Sequence, residues 1–319
     1  MNEPKVSVVV CTYNGEKYLR EQLDSILAQT YPLHEIIIQD DHSTDATPAI
    51  LDEYARRSPL VRVYHNPAGL GVNGNFFTAM RRATGDFIAL SDQDDRWHAD
   101  KIARQMATIG DCLLCSGHTR PFSDDGLFTH YDARRPNVRL PRLVFSGLQG
   151  HTMLFRRTLL TDIMPPESEL YEVSFYDVAL ELAAGAFDSI AYVDGVLVDF
   201  RRHGDATTYN DTRHTLPGWR NAWYILRWSL THYRTARPRA CRLWQARLAF
   251  LLAIRSSHPL YEVTVRMLEL ELEEGVWAFL RLQALFIRNH RVLFQTEGGG
   301  PVKVLRAALY PVMQYYHYR

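Results

Sequence analysis

Val6-Ser7-Val8-Val9-Val10 decides the fold, because this β-branched apolar run lacks the alternation of a strand with one wet face. It predicts a strand buried on both faces of a parallel sheet. Similar runs recur at Ile36–Ile38, Val61–Tyr64 and Phe87–Leu90, and helical patterns separate them. The helical signals are the stripe of Leu19, Leu23, Ile26 and Leu27, the Thr47-Pro48 helix start, and the series Phe76, Met80 and Ala83. Strands that alternate with helices predict an α/β protein with a doubly wound, mostly parallel sheet flanked by helices.

Charge divides the 319-residue chain into two regions. Residues 1–212 carry 20 basic and 30 acidic side chains, whereas residues 213–319 carry 16 and 6. We expect a large domain over 1–212 and a basic, mostly helical region over 213–319. The longest apolar stretch late in the chain, Leu248–Ile254, is too short to span a bilayer, and no signal peptide precedes Val6. The sequence therefore predicts a cytoplasmic protein.

Polar residues follow three of the predicted strands. They are Thr12-Tyr13-Asn14, Asp40-Asp41 and the segment Asp92–Asp95. In doubly wound sheets, ligands bind at the carboxyl ends of the strands, so these loops are the predicted binding site.

Three aspartates, Asp92, Asp94 and Asp95, lie within four residues. Carboxylates this close repel one another unless a cation neutralises them, and oxygen ligands suit Mg²⁺ or Mn²⁺ bound with a diphosphate. The alternative is a solvated turn in which Asp95 caps the next helix. Asp40 and Asp41 could accept hydrogen bonds from a nucleobase or a ribose, or form an Asx-rich turn.

Two other motifs are set aside. Gly69-Leu70-Gly71-Val72-Asn73-Gly74 fits a dinucleotide fingerprint, but three residues separate it from its strand, and a flexible turn before a capped helix is the favoured interpretation. Cys112 and Cys115 have zinc spacing, yet they lie in a strand-like run that would point them to opposite faces.

The loops together resemble a known family. Val8–Gly15, Gln39–Asp45, Ala83–Ile88 and Ser91–Trp97 occur in the order found in inverting glycosyltransferase family 2, which has the GT-A fold. The Ser-Asp-Gln-Asp-Asp-Arg-Trp form of the last segment is similar to the bacterial branch that includes rhamnosyltransferases for surface polysaccharide. The resemblance covers roughly residues 5 to 205.

The resemblance implies a role for each loop. The implied nucleotide-binding residues are Thr12, Tyr13, Asn14, Asp40, Asp41 and Asp92. The metal ligands would be Asp94, Asp92 and His203, with Asp94 the principal one, and Ser146–Phe155 would form the acceptor-side loop. His42 replaces the small residue usual in the family, which affects the fit around the nucleotide.

By the same resemblance, Asp177 is the catalytic base. Tyr176 replaces the acidic residue or histidine that usually precedes it. Asp177 begins the apolar stretch Val178–Leu180, so partial burial could raise its pKa toward this task. The alternatives are a helix N-cap for Asp177 and a surface position for His203.

A stripe of apolar residues marks the basic C-terminal region; it consists of Trp219, Trp223, Leu226, Leu230 and Tyr233. Aromatic and arginine side chains on one helix could lie at an anionic membrane surface. The alternative is a helical subdomain that packs against the sheet or a second subunit.

The sequence thus predicts a metal-dependent inverting glycosyltransferase that uses Mg²⁺ or Mn²⁺. Its donor would be a nucleoside-diphosphate sugar, either dTDP-rhamnose or a UDP-sugar, and its acceptor a saccharide or lipid-linked saccharide hydroxyl. We expect no nucleic-acid partner, and self-association is left open. The alternative functions are an inactive nucleotide-sugar-binding protein and a dinucleotide-dependent oxidoreductase.

Overall fold

One mixed sheet forms the centre of the protein. The computed structural model describes residues 3–124, 126, 131–203 and 218–319. Within them, the strands are β1 (Val6–Thr12), β2 (Leu33–Asp40), β3 (Val61–His65), β4 (Phe87–Ser91), β5 (Arg96–Trp97), β6 (Leu114–Phe122), β7 (Leu154–Arg156) and β8 (Ile190–Arg201). They lie in the order β3-β2-β1-β4-β7-β6-β8-β5.

The first half of the sheet is parallel. Val8 of β1 lies between Ile36 of β2 and Ala89 of β4, and every residue of β1 is buried. The buried-strand prediction is therefore confirmed. The short strand β7 then runs antiparallel to both β4 and β6, so the sheet is not parallel throughout.

Helices cover the sheet and continue beyond it. The first seven are α1 (Leu19–Leu27), α2 (Thr47–Arg57), α3 (Gly71–Arg82), α4 (Lys101–Ile109), α5 (Leu140–Leu143), α6 (Leu170–Val173) and α7 (Tyr176–Gly185). The C-terminal helices are α8 (Gly218–Thr231), α9 (Tyr233–Ile254), α10 (Pro259–Leu272), α11 (Val276–Arg288) and α12 (Pro301–Met313). None of the helices in the described ranges is both long enough and apolar enough to cross a bilayer.

The C-terminal helices share a hydrophobic core with the sheet. Phe155 of β7 and Leu180 of α7 belong to the same buried cluster as Trp244 and Phe250 of α9. Tyr315, in the short 3₁₀ helix Gln314–Tyr318, also belongs to it. The C-terminal helices therefore pack against the sheet. The predicted boundary at residues 212 and 213 lies outside the described residues.

The predicted stripe on the first C-terminal helix is wrong as a packing face. Trp223 and Leu230 are exposed, and the helix ends at Thr231, before Tyr233. Instead, Trp228 packs edge-on against Tyr316 at 5.4 Å. The physical reason is that apolar residues occur on more than one side of α8, so spacing alone does not identify the buried side. The side chain of Trp219 lies outside the described residues.

Candidate active site

A cleft of about 920 Å³ opens at the carboxyl ends of β1 and β4. Thr12 pairs with Asp40 across β1 and β2, and Val10 pairs with Ser91 across β1 and β4, so the three predicted loops meet at this edge. The predicted site residues that line the cleft are Thr12, Tyr13, Asn14, Asp41, Asp92, Asp94, Asp177 and His203. The structure therefore brings together eight of the nine residues proposed from the sequence.

Asp40, the ninth, lies behind the cleft wall. It is buried, and its Oδ1 accepts hydrogen bonds from Thr12 Oγ1 at 2.8 Å and Ser43 Oγ at 2.5 Å. Asn14 joins the same loops, because its Oδ1 accepts from the Thr44 N–H at 2.9 Å. In this arrangement Asp40 fixes the loops after β1 and β2 to each other. Tyr13, at the rim, is 59% exposed.

Asp41 binds the start of α3. Its carboxylate accepts hydrogen bonds from the N–H groups of Leu70 at 2.7 Å and Gly71 at 2.9 Å, and from Asn66 Nδ2 at 2.7 Å. The glycine-rich motif is thus the N-terminus of α3, where a carboxylate of the chain compensates the unpaired N–H groups. This geometry agrees with the capped-helix interpretation of Gly69–Gly74.

The aspartates after β4 divide between two histidines. Asp94 Oδ2 lies 2.9 Å from His203 Nε2. Asp92 Oδ2 and Asp95 Oδ2 lie 3.3 and 3.6 Å from His151 Nδ1. Asp95 does not cap the following helix, because its Oδ1 accepts a hydrogen bond from the Arg201 N–H at 3.0 Å.

His151 was not identified as a site residue from the sequence. It is buried, and its ring stacks on Phe200 with 4.8 Å between centroids. Burial alone would lower its pKa, but the nearby charges of Asp95 and Asp92 raise it. Burial in turn raises the pKa of Asp95 to about 7. The sequence contained one indication of a role for His151. This residue directly follows Gly150 in the segment Ser146–Phe155, which the family resemblance assigns to the acceptor side.

The acid–histidine pairs have a donor set that fits a divalent cation. Oxygen and imidazole donors together suit Mn²⁺, and carboxylates suit Mg²⁺. Asp95 Oδ2, His151 Nε2 and His203 Nδ1 are buried without a hydrogen-bond partner among the described residues. Ligand atoms of Asp92, Asp95 and His151 lie within 4.8 Å of one another. This cluster and the Asp94–His203 pair meet at the cleft, where Asp92, Asp94 and His203 line the wall.

Asp177 lies in the first turn of α7, one residue after Tyr176. The N-cap of this helix is Phe175, so Asp177 is not the N-cap. Its Oδ1 accepts a hydrogen bond from the Val178 N–H at 2.9 Å. Burial raises its pKa to about 6, and the charge of Asp92 adds to the shift. The expectation that burial raises this pKa is confirmed.

Asn73, in the glycine-rich motif, holds the segment before Asp177. Its Nδ2 donates to the carbonyl oxygens of Tyr171 at 2.7 Å and Ser174 at 2.6 Å, and its Oδ1 accepts from the Tyr176 N–H at 2.9 Å. Three hydrogen bonds from one amide thus fix the backbone that leads to Asp177. Sequence reasoning missed this role, because the partners lie about 100 residues away.

Arg201 organises the other side of the cleft. Its side chain is buried and donates to the Asp94 carbonyl oxygen at 3.0 Å, while the guanidinium forms ion pairs with Glu21 and Asp124. The guanidinium also lies over the Tyr18 ring, 4.2 Å from its centroid. Arg201 therefore fixes the backbone of the aspartate segment.

Comparison with known proteins supports the sequence resemblance. Residues 7–164 match the model of the family described as Glycosyl transferase family 2. The protein named "Putative glycosyltransferase EpsH" of Bacillus subtilis is 32% identical over 219 residues, which cover 64% of this chain and 62% of that protein. The chain thus spans less than two thirds of the length of EpsH and of the Mycobacterium tuberculosis protein Rv1520, which it matches at 31% identity.

Solved structures show the same fold. The Staphylococcus aureus TarS fragment 1–349, crystallised with UDP-GlcNAc, superposes with a TM-score of 0.58 at 16% identity, covering 98% of this chain and 89% of that one. The mannosyltransferase PcManGT of Pyrobaculum calidifontis, in complex with GDP-Man and Mn²⁺, gives 0.53 at 20% identity, covering 99% and 85%. With its mostly parallel sheet and flanking helices, the chain has a GT-A-like fold, and within it residues 7–164 match the model of glycosyltransferase family 2.

Proposed function

We propose that this protein is a metal-dependent inverting glycosyltransferase. It transfers a sugar from a nucleoside-diphosphate donor to a hydroxyl group of a saccharide or lipid-linked saccharide acceptor. The donor is dTDP-rhamnose or a UDP-sugar, and the product belongs to surface polysaccharide. EpsH is named as a glycosyltransferase, and PcManGT was crystallised with a nucleotide sugar and Mn²⁺, which supports the donor class and the use of a metal.

The proposal rests on the different contacts made by the carboxylates that line the cleft. Among the described residues these are Asp41, Asp92, Asp94 and Asp177. Asp41 binds the N-terminus of α3, and Asp92 and Asp94 each lie beside a histidine. Asp177 accepts hydrogen bonds from backbone N–H groups, and burial raises its pKa. It is therefore the carboxylate suited to accept a proton.

The proposed reaction uses each group once. Thr12, Tyr13 and Asn14 bind the nucleoside, and Asp92, Asp94 and His203 would hold the divalent ion. That ion would supply Lewis-acid stabilisation of the departing nucleoside diphosphate. Asp177 accepts the proton of the acceptor hydroxyl as its oxygen bonds to the anomeric carbon. The bond from that carbon to the diphosphate oxygen breaks, and attack from the opposite face inverts the configuration.

Release of nucleoside diphosphate tests this function. Purified protein is incubated with Mn²⁺ and with dTDP-rhamnose or UDP-sugars side by side, in the presence and absence of saccharide acceptors. We expect one donor to release its nucleoside diphosphate, and Asp94→Ala to abolish the release. Asp100→Ala, at an exposed position just before α4, is the matched control and should retain activity.

This experiment and a titration with reduced nicotinamide cofactor separate the alternatives. An inactive nucleotide-sugar-binding protein would bind a donor and release no nucleoside diphosphate from any of them. A dinucleotide-dependent oxidoreductase would change the fluorescence of reduced nicotinamide cofactor on titration. Either result would contradict the proposal.

We further propose that the protein associates peripherally with the inner face of the membrane through the C-terminal helices. Trp277 on α11 is 76% exposed, and Trp223 on α8 and Leu305 on α12 are exposed as well. The region 213–319 also has ten more basic than acidic side chains. Exposed apolar residues among cationic ones suit an anionic lipid surface.

Sedimentation with vesicles tests this location. The full chain is mixed with phosphatidylglycerol or phosphatidylcholine vesicles at low and high salt. We expect it to sediment with the anionic vesicles at low salt, less so at high salt, and less after Trp277→Ser. Recovery of all the protein in the supernatant in every case would contradict the proposal.

A further inference from the structure

A second, smaller cavity of about 180 Å³ lies beside the cleft. We call it the Arg142 pocket; the lining residues that matter here are Arg142, Ser146, Gly147, Leu148 and Gln295. Leu148 lines both the pocket and the cleft. The pocket is therefore a neighbour of the proposed active site, at the loop that precedes Gly150.

The Arg142 guanidinium makes no hydrogen bond or ion pair with any group in the described ranges, although the residue is half-buried. Burial lowers its pKa, and the nearby Tyr310 and Glu181 act in the opposite direction. Arg139, one turn earlier in the chain, is by contrast paired with both Asp188 and Glu297. An unpaired guanidinium facing a cavity is unusual, because cations removed from water are normally paired.

The carboxylate of Glu181 interacts electrostatically with two arginines, Arg142 and Arg247. Glu181 is buried, and its Oε2 accepts a hydrogen bond from the Leu148 N–H at 2.5 Å. Burial raises the pKa of Glu181, while the nearby charges of Arg247 and Arg142 both act to lower it. A second buried guanidinium, that of Arg247, donates to the Val144 carbonyl oxygen on the same side. The surroundings of the pocket therefore carry net positive charge.

Further donors line the pocket. The Ser146 hydroxyl, the Gly147 N–H and the Gln295 side-chain amide belong to exposed residues and make no hydrogen bond within the described part of the chain, so they are free to bind a ligand. Gln295 is nevertheless held in place, because Asn137 Nδ2 donates to the carbonyl oxygens of Val292 at 2.8 Å and Phe294 at 3.0 Å. One cation and three neutral donors thus surround a cavity large enough to admit a small anion.

The position of the pocket indicates which molecule would carry that anion. The loop runs from Gly147 at the pocket to Gly150, whose N–H donates to the Asp177 carboxylate. Three residues of extended chain span at most about 10 Å. A group bound in the pocket can therefore belong to the same saccharide whose hydroxyl reaches Asp177.

We propose that the Arg142 pocket binds an anionic group, a phosphate or a carboxylate, carried by the acceptor one or two sugar residues away from the attacking hydroxyl. This inference rests on the proposed transferase function and deepens it, because it assigns the acceptor to the acidic saccharides. Arg142 supplies the charge, and Ser146, Gly147 and Gln295 supply neutral hydrogen bonds.

Direct binding of inorganic phosphate provides the first test. The full chain, with its donor site saturated by nucleoside diphosphate and Mn²⁺, is titrated with inorganic phosphate and separately with acetate by calorimetry. We expect binding by the unmodified protein that weakens at least about tenfold in Arg142→Gln, since a charge-assisted hydrogen bond is lost. Arg134→Gln, which removes an exposed arginine paired with Asp132, should bind as before. Gln295→Glu is a second variant, which leaves Arg142 in place and repels anions.

The inference would be overturned if Arg142→Gln and Gln295→Glu bound phosphate and acetate with the same affinities as the unmodified protein. Stronger binding of phosphate than of acetate would identify a phosphorylated acceptor, and the reverse a uronic acid.

Kinetics separate this inference from the proposed function. Release of nucleoside diphosphate without acceptor should be the same in Arg142→Gln and the unmodified protein; absence of release from both would refute the proposed function instead. With acceptors, Arg142→Gln should raise KM at least about tenfold for an anionic saccharide and leave KM for its neutral analogue unchanged. An equal rise for both acceptors would overturn the pocket's role in charge recognition.

Discussion

Replacing Asp177 by asparagine should abolish transfer while it stabilises the fold. The asparagine side chain would keep the shape of the aspartate and its ability to accept hydrogen bonds from backbone N–H groups. It would lose the negative charge and with it the capacity to take a proton from the acceptor. The two effects have opposite signs, so together they distinguish a catalytic base from a structural residue.

The loss of activity can be estimated from general-base catalysis. A positioned base contributes roughly 10² to 10⁴ in rate, so transfer by Asp177→Asn should fall by that factor while donor affinity is retained. In the unmodified protein, a pKa of about 6 leaves about nine-tenths of Asp177 ionised at pH 7 and about one-tenth at pH 5. Because the ionised form is the active one, the rate should fall as the pH is lowered through about 6.

The gain in stability follows from the same pKa. Burial raises the pKa of Asp177 from 3.8 to about 6, so the folded state disfavours the ionised carboxylate. This rise in pKa corresponds to a free-energy cost of about 3 kcal/mol for the ionised form, which is absent below the unfolded pKa and fully present above the folded pKa. Asp177→Asn should therefore increase the free energy of unfolding by up to about 3 kcal/mol at pH 7.5, with no increase at pH 3.5.

Urea denaturation at these two pH values, together with initial rates of nucleoside-diphosphate release with acceptor, checks the prediction. Donor affinity is measured separately by calorimetry. Undiminished transfer by Asp177→Asn would remove this residue from the role of base. A loss of stability at pH 7.5 would refute the estimate of the burial penalty.

Three further predictions concern the parts that support the site. Asn73→Ala should lower kcat more than it raises KM for the donor, and it should shift the acidic limb of the rate–pH profile, because it frees the backbone before Asp177. An unchanged pH profile would leave Asn73 with a purely structural role. Trp244→Ala should reduce the free energy of unfolding by about 3 to 5 kcal/mol in urea titrations, because it empties a fully buried site, and Trp223→Ala, at an exposed position, should have little effect. Removal of divalent ions with EDTA should stop nucleoside-diphosphate release and readdition of Mn²⁺ should restore it; activity that persists in EDTA would contradict the role of Asp94.

The parallel half of the sheet could be predicted because its signals are local. Val6–Val10 and Phe87–Leu90 show their burial in their own composition, and the polar residues that follow them mark the edge where the cleft forms. The short antiparallel strand β7 could not be predicted. It has three residues, too few for a pattern, and its place between β4 and β6 depends on tertiary packing.

The site residues that directly follow a strand could be predicted from local sequence. Those that lie far along the chain from their partners could not. Asp92 and Asp94 stand directly after β4, whereas Asp177 and His203 were found through the family resemblance. The partners of Asn73 and Arg201 lie 101 and 107 residues away along the chain, at Ser174 and Asp94. Neither side chain forms a local motif with its partner, so only the folded structure reveals their roles.

The shared core of the sheet and the C-terminal helices has a consequence for biosynthesis. Trp244 Nε1 donates a hydrogen bond to Tyr318 Oη at 2.8 Å, and Gln314 Nε2 donates one to Glu271 Oε1 at 2.6 Å. During translation, the loops that follow β1, β2 and β4 emerge from the ribosome long before residues 314–318 become available to complete this core. Until then, Phe155 and Leu180 of the nascent chain are not covered by the C-terminal helices. Chaperones that recognise exposed apolar segments would bind the nascent chain in that interval.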